Sequence, residues 1–152
     1  MINENIKLSG QLTIVLKDKA GNVKETRVIK NLIVNTGLAY IISRMVGTSK
    51  AVMTHMALGS STTAAAAGQT DLITTVGSRE VLDSSTISGS SNEKVVYVST
   101  FEAGDATGAI TEAGIFNSSS GGDMLCRTVF SVVNKASDDA MSVTWTITLA
   151  AS

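Results

Sequence analysis

The stretch Ala140-Met141-Ser142-Val143-Thr144-Trp145-Thr146-Ile147-Thr148-Leu149 decides the fold. Met141, Val143, Trp145, Ile147 and Leu149 fall on one face, and Ser142, Thr144, Thr146 and Thr148 fall on the other. Alternation of period two, rich in β-branched residues, marks a strand buried on one side only. Before it come a polar glycine corner after Phe101, a strand ending in Glu112-Ala113-Gly114-Ile115-Phe116, a Ser/Gly turn and the outgoing strand of a long hairpin. A chain that ends this way reads as an all-β packing module with a hydroxyl-rich outer face. Nothing in the stretch looks built for chemistry.

The same grammar runs back through the chain. Ile6, Leu8, Gly10, Leu12, Ile14 and Leu16 alternate with Lys7, Ser9, Gln11, Thr13, Val15 and Lys17, a half-buried strand with Gly10 placed for a bend or bulge. Asp18 to Asn22 supplies a turn, and Val23 to Val34 returns, which makes an N-terminal hairpin over residues 5–34. Leu38, Ile41, Ile42 and Met45 then recur at helical spacing. This predicts one short amphipathic helix near residues 36–47, capped by Asn35 or Thr36 and stopped at Gly47, which closes one end of a sheet or plugs a gap between two. Val52, Thr54, Met56 and Leu58 form the next inward face. The Ser/Thr/Ala run from Gly59 to Gly68 reads as an exposed loop within the domain. Short pieces are expected at Leu72-Ile73 and Arg79 to Leu82, a turn-rich stretch over Ser84 to Asn92, and a central strand over Val95 to Phe101.

With Ala109 to Phe116, Met124 to Val133 and Ala140 to Leu149, these elements predict a two-sheet β-sandwich, jelly-roll-like, spanning residues 1–152 as a single domain. Its core is expected to hold Ile14, Leu16, Ile41, Val98, Phe130, Val143, Trp145 and Ile147.

Composition narrows the function. A net charge of −1 argues against general nucleic-acid binding, which needs a basic excess. Charge is uneven: through Lys50 there are eight Lys/Arg against three Asp/Glu, net +5, and beyond it four against ten, net −6. Solvated strand faces explain this first; head-to-tail contact between copies, or docking on an acidic partner, is the sharper alternative. The N-terminus lacks the basic and apolar regions of a signal peptide, and the longest apolar run is far short of a membrane span, so residence in a cytoplasm until assembly is expected.

Candidate chemical residues are few. Cys126 is the only cysteine, which rules out an intrachain disulfide, and it shares a strand face with Met124, Thr128 and Phe130, the setting of a buried thiol. His55 is the only histidine, whereas catalytic zinc takes three protein ligands. No Gly-x-Ser-x-Gly elbow occurs, and the regions around Gly59 and Gly89 lack the ending of a phosphate loop. Asp71, Glu80, Asp83, Glu102, Asp105, Glu112 and Asp123 are scattered. A glycosidase needs a facing pair in a cleft, and sugar clefts usually carry aromatic platforms, which a chain with 4% aromatic residues lacks. Calcium at Asp105 or Asp123 would match no known loop spacing. Glu112 stands apart. It is expected on one face with Ile110, Gly114 and Phe116, half-buried, accepting N–H bonds from a neighbouring loop, because buried carboxylates persist when hydrogen-bonded. No catalytic, cofactor-binding or metal-ligating residue is assigned, and no cofactor is expected.

An ordered series of segments carries a resemblance. It runs through Asn31-Leu32-Ile33-Val34-Asn35-Thr36-Gly37, Met56-Ala57-Leu58-Gly59-Ser60-Ser61-Thr62-Thr63 and Gln69-Thr70-Asp71-Leu72. It continues with Phe101-Glu102-Ala103-Gly104, Ile110-Thr111-Glu112-Ala113-Gly114-Ile115-Phe116 and Gly121-Gly122-Asp123-Met124-Leu125, and closes on Lys135 and Val143-Thr144-Trp145-Thr146-Ile147. Over roughly residues 23–150 this order resembles a family of small tailed-bacteriophage virion proteins. The resemblance implies a part of a capsid, tail or fibre, made in the host cytoplasm and carried in the virion. One short domain without a coiled coil, fibre repeat or tip favours a capsid decoration (cement) protein. Its partners would be the major capsid protein or other virion proteins and further copies of itself, in a homotrimer by analogy, with no nucleic acid and no membrane. A tail, baseplate or fibre accessory subunit is the near alternative, a glycan-binding β-sandwich module a weaker one, and an enzyme the last.

Overall fold

The computed structural model describes residues 5–47 and 50–151. Its strands are β1 (Ile6–Lys17), β2 (Val23–Ile33), β3 (His55–Gly59), β4 (Glu80–Val81), β5 (Ser84–Ser88), β6 (Lys94–Phe101), β7 (Gly108–Phe116), β8 (Met124–Lys135) and β9 (Ala140–Ala151), with one helix, α1 (Asn35–Met45), after β2. The all-β expectation holds. The sequence reading divides the strands between two sheets, whereas the hydrogen-bond ladder runs through all nine in the order β4-β3-β7-β8-β2-β1-β9-β6-β5, every pairing antiparallel.

The sheet curls, and between its long strands the narrow seam is β2–β8, where only Leu32–Arg127 and Ile33–Cys126 pair in register. Side chains reinforce that seam. The Arg27 guanidinium donates to the Ser131 and Val132 carbonyls at 3.2 Å each, and Thr128 Oγ1 donates to the Lys30 carbonyl at 2.9 Å. At the far side, the end strands β4 and β5 are separated only by Leu82-Asp83. There Leu82 N donates to Thr54 O and Asp83 N to Val98 O, so the chain steps from one half of the curl to the other.

Inside the curl lies one core that draws on both halves. It contains Leu12, Ile14, Leu16, Tyr97, Phe101, Val143, Trp145 and Ile147 from one half and Met56, Leu58, Ile110, Ile115, Cys126 and Phe130 from the other. Two members of the expected core differ. Ile41 packs against it only partly buried. Val98 points the other way: Tyr97, Ser99 and Phe101 are buried, and Val98 belongs to the outer face with Val96. Apolar residues on both faces made the choice ambiguous, and the aromatic rings took the inside, as the larger area to remove from water dictates.

Gly10 explains itself only in three dimensions. The register passes through it without a bulge; the irregularity in β1 lies at Leu16/Lys17. Gly10 pairs with Asn31 on one side and Ile147 on the other, and the Asn31 side chain crosses the place where a Cβ would stand, 1.9 Å from its Oδ1. That oxygen accepts the Trp145 indole N–H at 2.8 Å. The largest fully buried side chain therefore has its single polar atom satisfied through a gap left by a glycine.

Helix α1 lies on β8 and departs from expectation twice. Neither Asn35 nor Thr36 caps it. The N-cap position is Val34 without a side-chain cap, Asn35 N donates to Ala67 O, and Thr36 Oγ1 donates to Met124 O at 2.6 Å. The face it buries is Gly37, Tyr40 and Ser43 with Ile41 partly buried beside them, while Leu38, Ile42 and Met45 of the apolar stripe stay exposed. Gly37 sets this orientation, since a Cβ there would sit 2.0 Å from the Leu125 carbonyl oxygen.

Gly10→Ala is expected to push Asn31 off the indole and destabilise the protein by about 1–3 kcal/mol, the usual effect of stranding a buried donor. Asn31→Ala should act through the same bond. Thermal or urea unfolding of both variants and of the double variant checks this, and the two effects should be far from additive.

Candidate functional site

A second, smaller apolar cluster lies on the opposite face of β3, β7 and β8, made of Val34, Ala57, Leu72, Phe116 and Met124. The segment between β3 and β4, residues 60–79, lies over it. This segment has almost no regular structure, so its backbone polar groups need partners from elsewhere.

Glu112 supplies them. An irregularity in the β7–β8 register between Ile110 and Glu112 breaks the strand's alternation. Ile110 joins Ala113 and Ile115 in the main core, while Phe116 belongs to the opposite cluster and Glu112 and Gly114 face the overlying segment. The expected company of Glu112 with Ile110 is therefore corrected. The carboxylate is fully buried rather than half-buried. Its Oε1 accepts Thr74 N at 2.8 Å and Ser61 N at 3.2 Å, and its Oε2 accepts Ile73 N at 3.1 Å. The loop-binding role read from the sequence is present.

The charge partner of Glu112 escaped sequence reading. Arg127, on the neighbouring strand and equally buried, donates through Nε (2.9 Å) and Nη2 (2.8 Å) to Oε2. Its remaining reach goes to the same loop, with Nη1 on Gln69 Oε1 and Nη2 on Thr63 O, both at 2.9 Å. A charged residue amid the apolar run Met124 to Phe130 was the available signal. Its meaning depended on knowing that β8 is covered on both faces.

Two further cations staple loops in the same manner. Arg79 lies 3.5 Å over the Phe116 ring, donates to the Ser118 and Gly121 carbonyls at 2.8 Å each, and pairs with Asp71 at 3.3 Å. Lys135 is buried and donates Nζ to Glu102 O (2.8 Å) and Asp139 O (2.7 Å); burial pushes its pKa down. Asp139 accepts Lys24 Nζ at 2.7 Å and Ala136 N at 2.9 Å, and these bonds hold its carboxyl below the ordinary range.

The other residues singled out in the sequence do not converge. His55 Nδ1 lies 2.8 Å from Thr54 Oγ1 on β3. Burial raises the Cys126 thiol well above its usual pKa, which removes the thiolate that reactivity needs. Asp123 pairs with Lys50 at 2.8 Å, and Asp83 accepts from Thr100 at 2.8 Å. Burial raises the pKa of Glu80, and the negative charges of Asp105 and Asp83 raise it further. Among the described residues no group of His, Cys, Asp and Glu is arranged to hold a metal ion, and no helix is long and apolar enough to cross a membrane.

Two surface features remain. On the outside of the half formed by β2, β1, β9, β6 and β5, Lys7, Lys30 and Lys94 ring a cleft of about 640 Å³ floored by Ser9, Gln11, Thr146 and Thr148. A groove of about 740 Å³ runs between α1 and the ends of β1 and β9. Comparison with family models, characterised proteins and solved structures finds no match.

Arg127→Met should strand the buried Glu112 carboxylate and lower stability by about 3–5 kcal/mol, and Glu112→Gln should do the same to the guanidinium. Limited proteolysis of either variant should cut first within residues 60–75, while the far-UV signal of the sheet persists. Cleavage elsewhere, or unchanged stability, would show that the pair is not what holds the loop.

Proposed function

We propose that the protein is a structural subunit of a bacteriophage particle, a capsid decoration (cement) protein that binds the shell through protein–protein contacts and works without catalysis or cofactor. One observation carries this reading: the outer face of the β2-β1-β9-β6-β5 half. Its residues lie in cross-strand rows, Thr13–Thr144–Val98–Ser84, Gln11–Thr146–Val96–Thr86 and Ser9–Thr148–Lys94–Ser88. These strands turn hydroxyls, valines and lysines outward and no carboxylate. Such a face suits a broad, weakly polar contact with a neutral or acidic protein surface, where many copies acting together supply strength through multivalency. The major capsid protein, or another virion protein, is the partner in this reading.

The buried polar chemistry supports it. Glu112, Arg127, Arg79 and Lys135 are committed to holding loops, and the carboxylate most deeply placed has no open side for a substrate. Several segments of the resemblance meet at the same clasp, among them Ser61, Thr63, Gln69, Leu72 and Glu112, so the shared pattern is understood as scaffold grammar. In this reading the two halves of the curl serve as the two layers of a sandwich, and copies self-associate, as a homotrimer by analogy with local shell symmetry.

Deleting the gene and imaging the particles is the direct test. Shells of normal size that lose surface density and burst more readily on warming or dilution are expected. Intact, fully decorated shells with missing or defective tails would place the protein in the tail, baseplate or fibre instead.

A further inference from the structure

Helix α1 turns the wrong side of its sequence outward. Most of its apolar stripe, which a surface helix ordinarily buries, is open to solvent: Ile41 packs on the core, but Leu38 is 44% exposed, Ile42 61% and Met45 78%. The close approach of Gly37 to Leu125 fixes this rotation, so the stripe cannot turn inward without breaking the contact with β8. Val46 at 74% prolongs the stripe, and Ile6 (78%) and Leu149 (41%) face it across the groove. Among the described residues no charged side chain lines that groove, and Ala150 and Ala151 leave room in its wall. Monomeric proteins rarely leave a contiguous apolar patch of this kind uncovered.

We propose that a second copy of this chain docks here, α1 against α1 about a symmetry axis. The chain presents both halves of the contact. Leu38, Ile42 and Met45 stand at i, i+4 and i+7, a ridge that fits a groove walled by the same residues, and a symmetric contact requires a self-complementary patch. Charge agrees. The groove is neutral, so pairing strands no charge, while Arg44 and Glu93, which border the adjoining cleft beside Tyr40 and Ile87, give each copy's rim both signs to offer the other. Size agrees too. A standard interface buries about 800 Å² per partner, roughly 65% of it apolar at a homodimer's core, and six large apolar side chains exposed by 41% to 78% provide such a centre. The proposal rests on self-association as read above, with a twofold pair in place of the trimer, and not on attachment to a shell.

The test is analytical ultracentrifugation of the full chain at micromolar concentration, beside Ile42→Lys, Met45→Lys and the outer-face control Thr146→Lys. The wild type and Thr146→Lys are expected to sediment as the same oligomer. The two helix variants should keep the wild-type circular dichroism, because both positions are exposed, and lose only the part of the melting temperature that pairing adds, with self-association weakened about thirtyfold or more, the scale of a central interface residue. Should Ile42→Lys unfold, Met45→Lys at the last helical residue carries the same comparison. A monomeric wild type overturns the proposal, and so do helix variants that remain oligomeric. A monomeric wild type whose binding to shells is lost in Ile42→Lys assigns the groove to a shell protein, which overturns self-docking and leaves the particle reading standing. The expected oligomer without shell binding supports self-docking and removes the particle reading.

Discussion

A buried carboxylate and a buried guanidinium on adjacent strands hold this structure in its shape. Removing both charges from water carries a desolvation penalty that their mutual attraction offsets only when every remaining hydrogen-bonding position is used. Here they are used on the loop. Glu112 takes three backbone N–H groups from Ser61, Ile73 and Thr74, and Arg127 gives its other donors to Thr63 and Gln69. A segment of Ser, Thr, Ala and Gly, too polar to bury itself, is thereby kept over Val34, Ala57, Leu72, Phe116 and Met124. Without it those side chains would form a wet apolar patch on the back of β3, β7 and β8. The pair thus gives the curled sheet a second covered face.

The same economy of means recurs across the fold. Trp145 needs one acceptor, Asn31 provides it, and Gly10 makes room. The seam between β2 and β8 has few backbone pairs, and Arg27 and Thr128 bridge it through side chains. Arg79 closes the β7–β8 turn by donating to its carbonyls, and Lys135 ties the β8–β9 turn at Asp139 to the Glu102 carbonyl just after β6. Ionisable groups in the interior therefore act as architecture. What remains for the outside is a ribbed face of hydroxyls, valines and lysines, and one apolar helix stripe.

β1 and β9 are legible because period-two alternation reports burial directly, and they lie where Leu12, Ile14, Val143 and Trp145 demand them; β7 and β8, covered on both faces, show instead as apolar runs. β5 was read as turn because Ser84, Ser85, Thr86 and Ser88 carry no apolar signal, and an edge strand exposed along its whole length needs none. The loop-binding role of Glu112 could be anticipated from a charge within an apolar strand. Its pairing with Arg127 could not, because the two are brought together by register. The helix lies where its spacing puts it, but it is rotated, with Ile41 still on the core and Leu38, Ile42 and Met45 turned outward. A hydrophobic stripe ordinarily marks the buried face, whereas here Gly37 and the Leu125 carbonyl decide which side comes down.

These constraints place the clasp upstream of everything the outer surfaces do. Hydrogen exchange measured residue by residue tests this most directly, since it separates loops that open locally from segments that open only with the whole fold. The account predicts that the Ser61, Ile73 and Thr74 amides exchange as slowly as those of β7 and β8, despite lying outside any long strand. Exchange of these three amides at the rate of an open loop, with the sheet still protected, would contradict it.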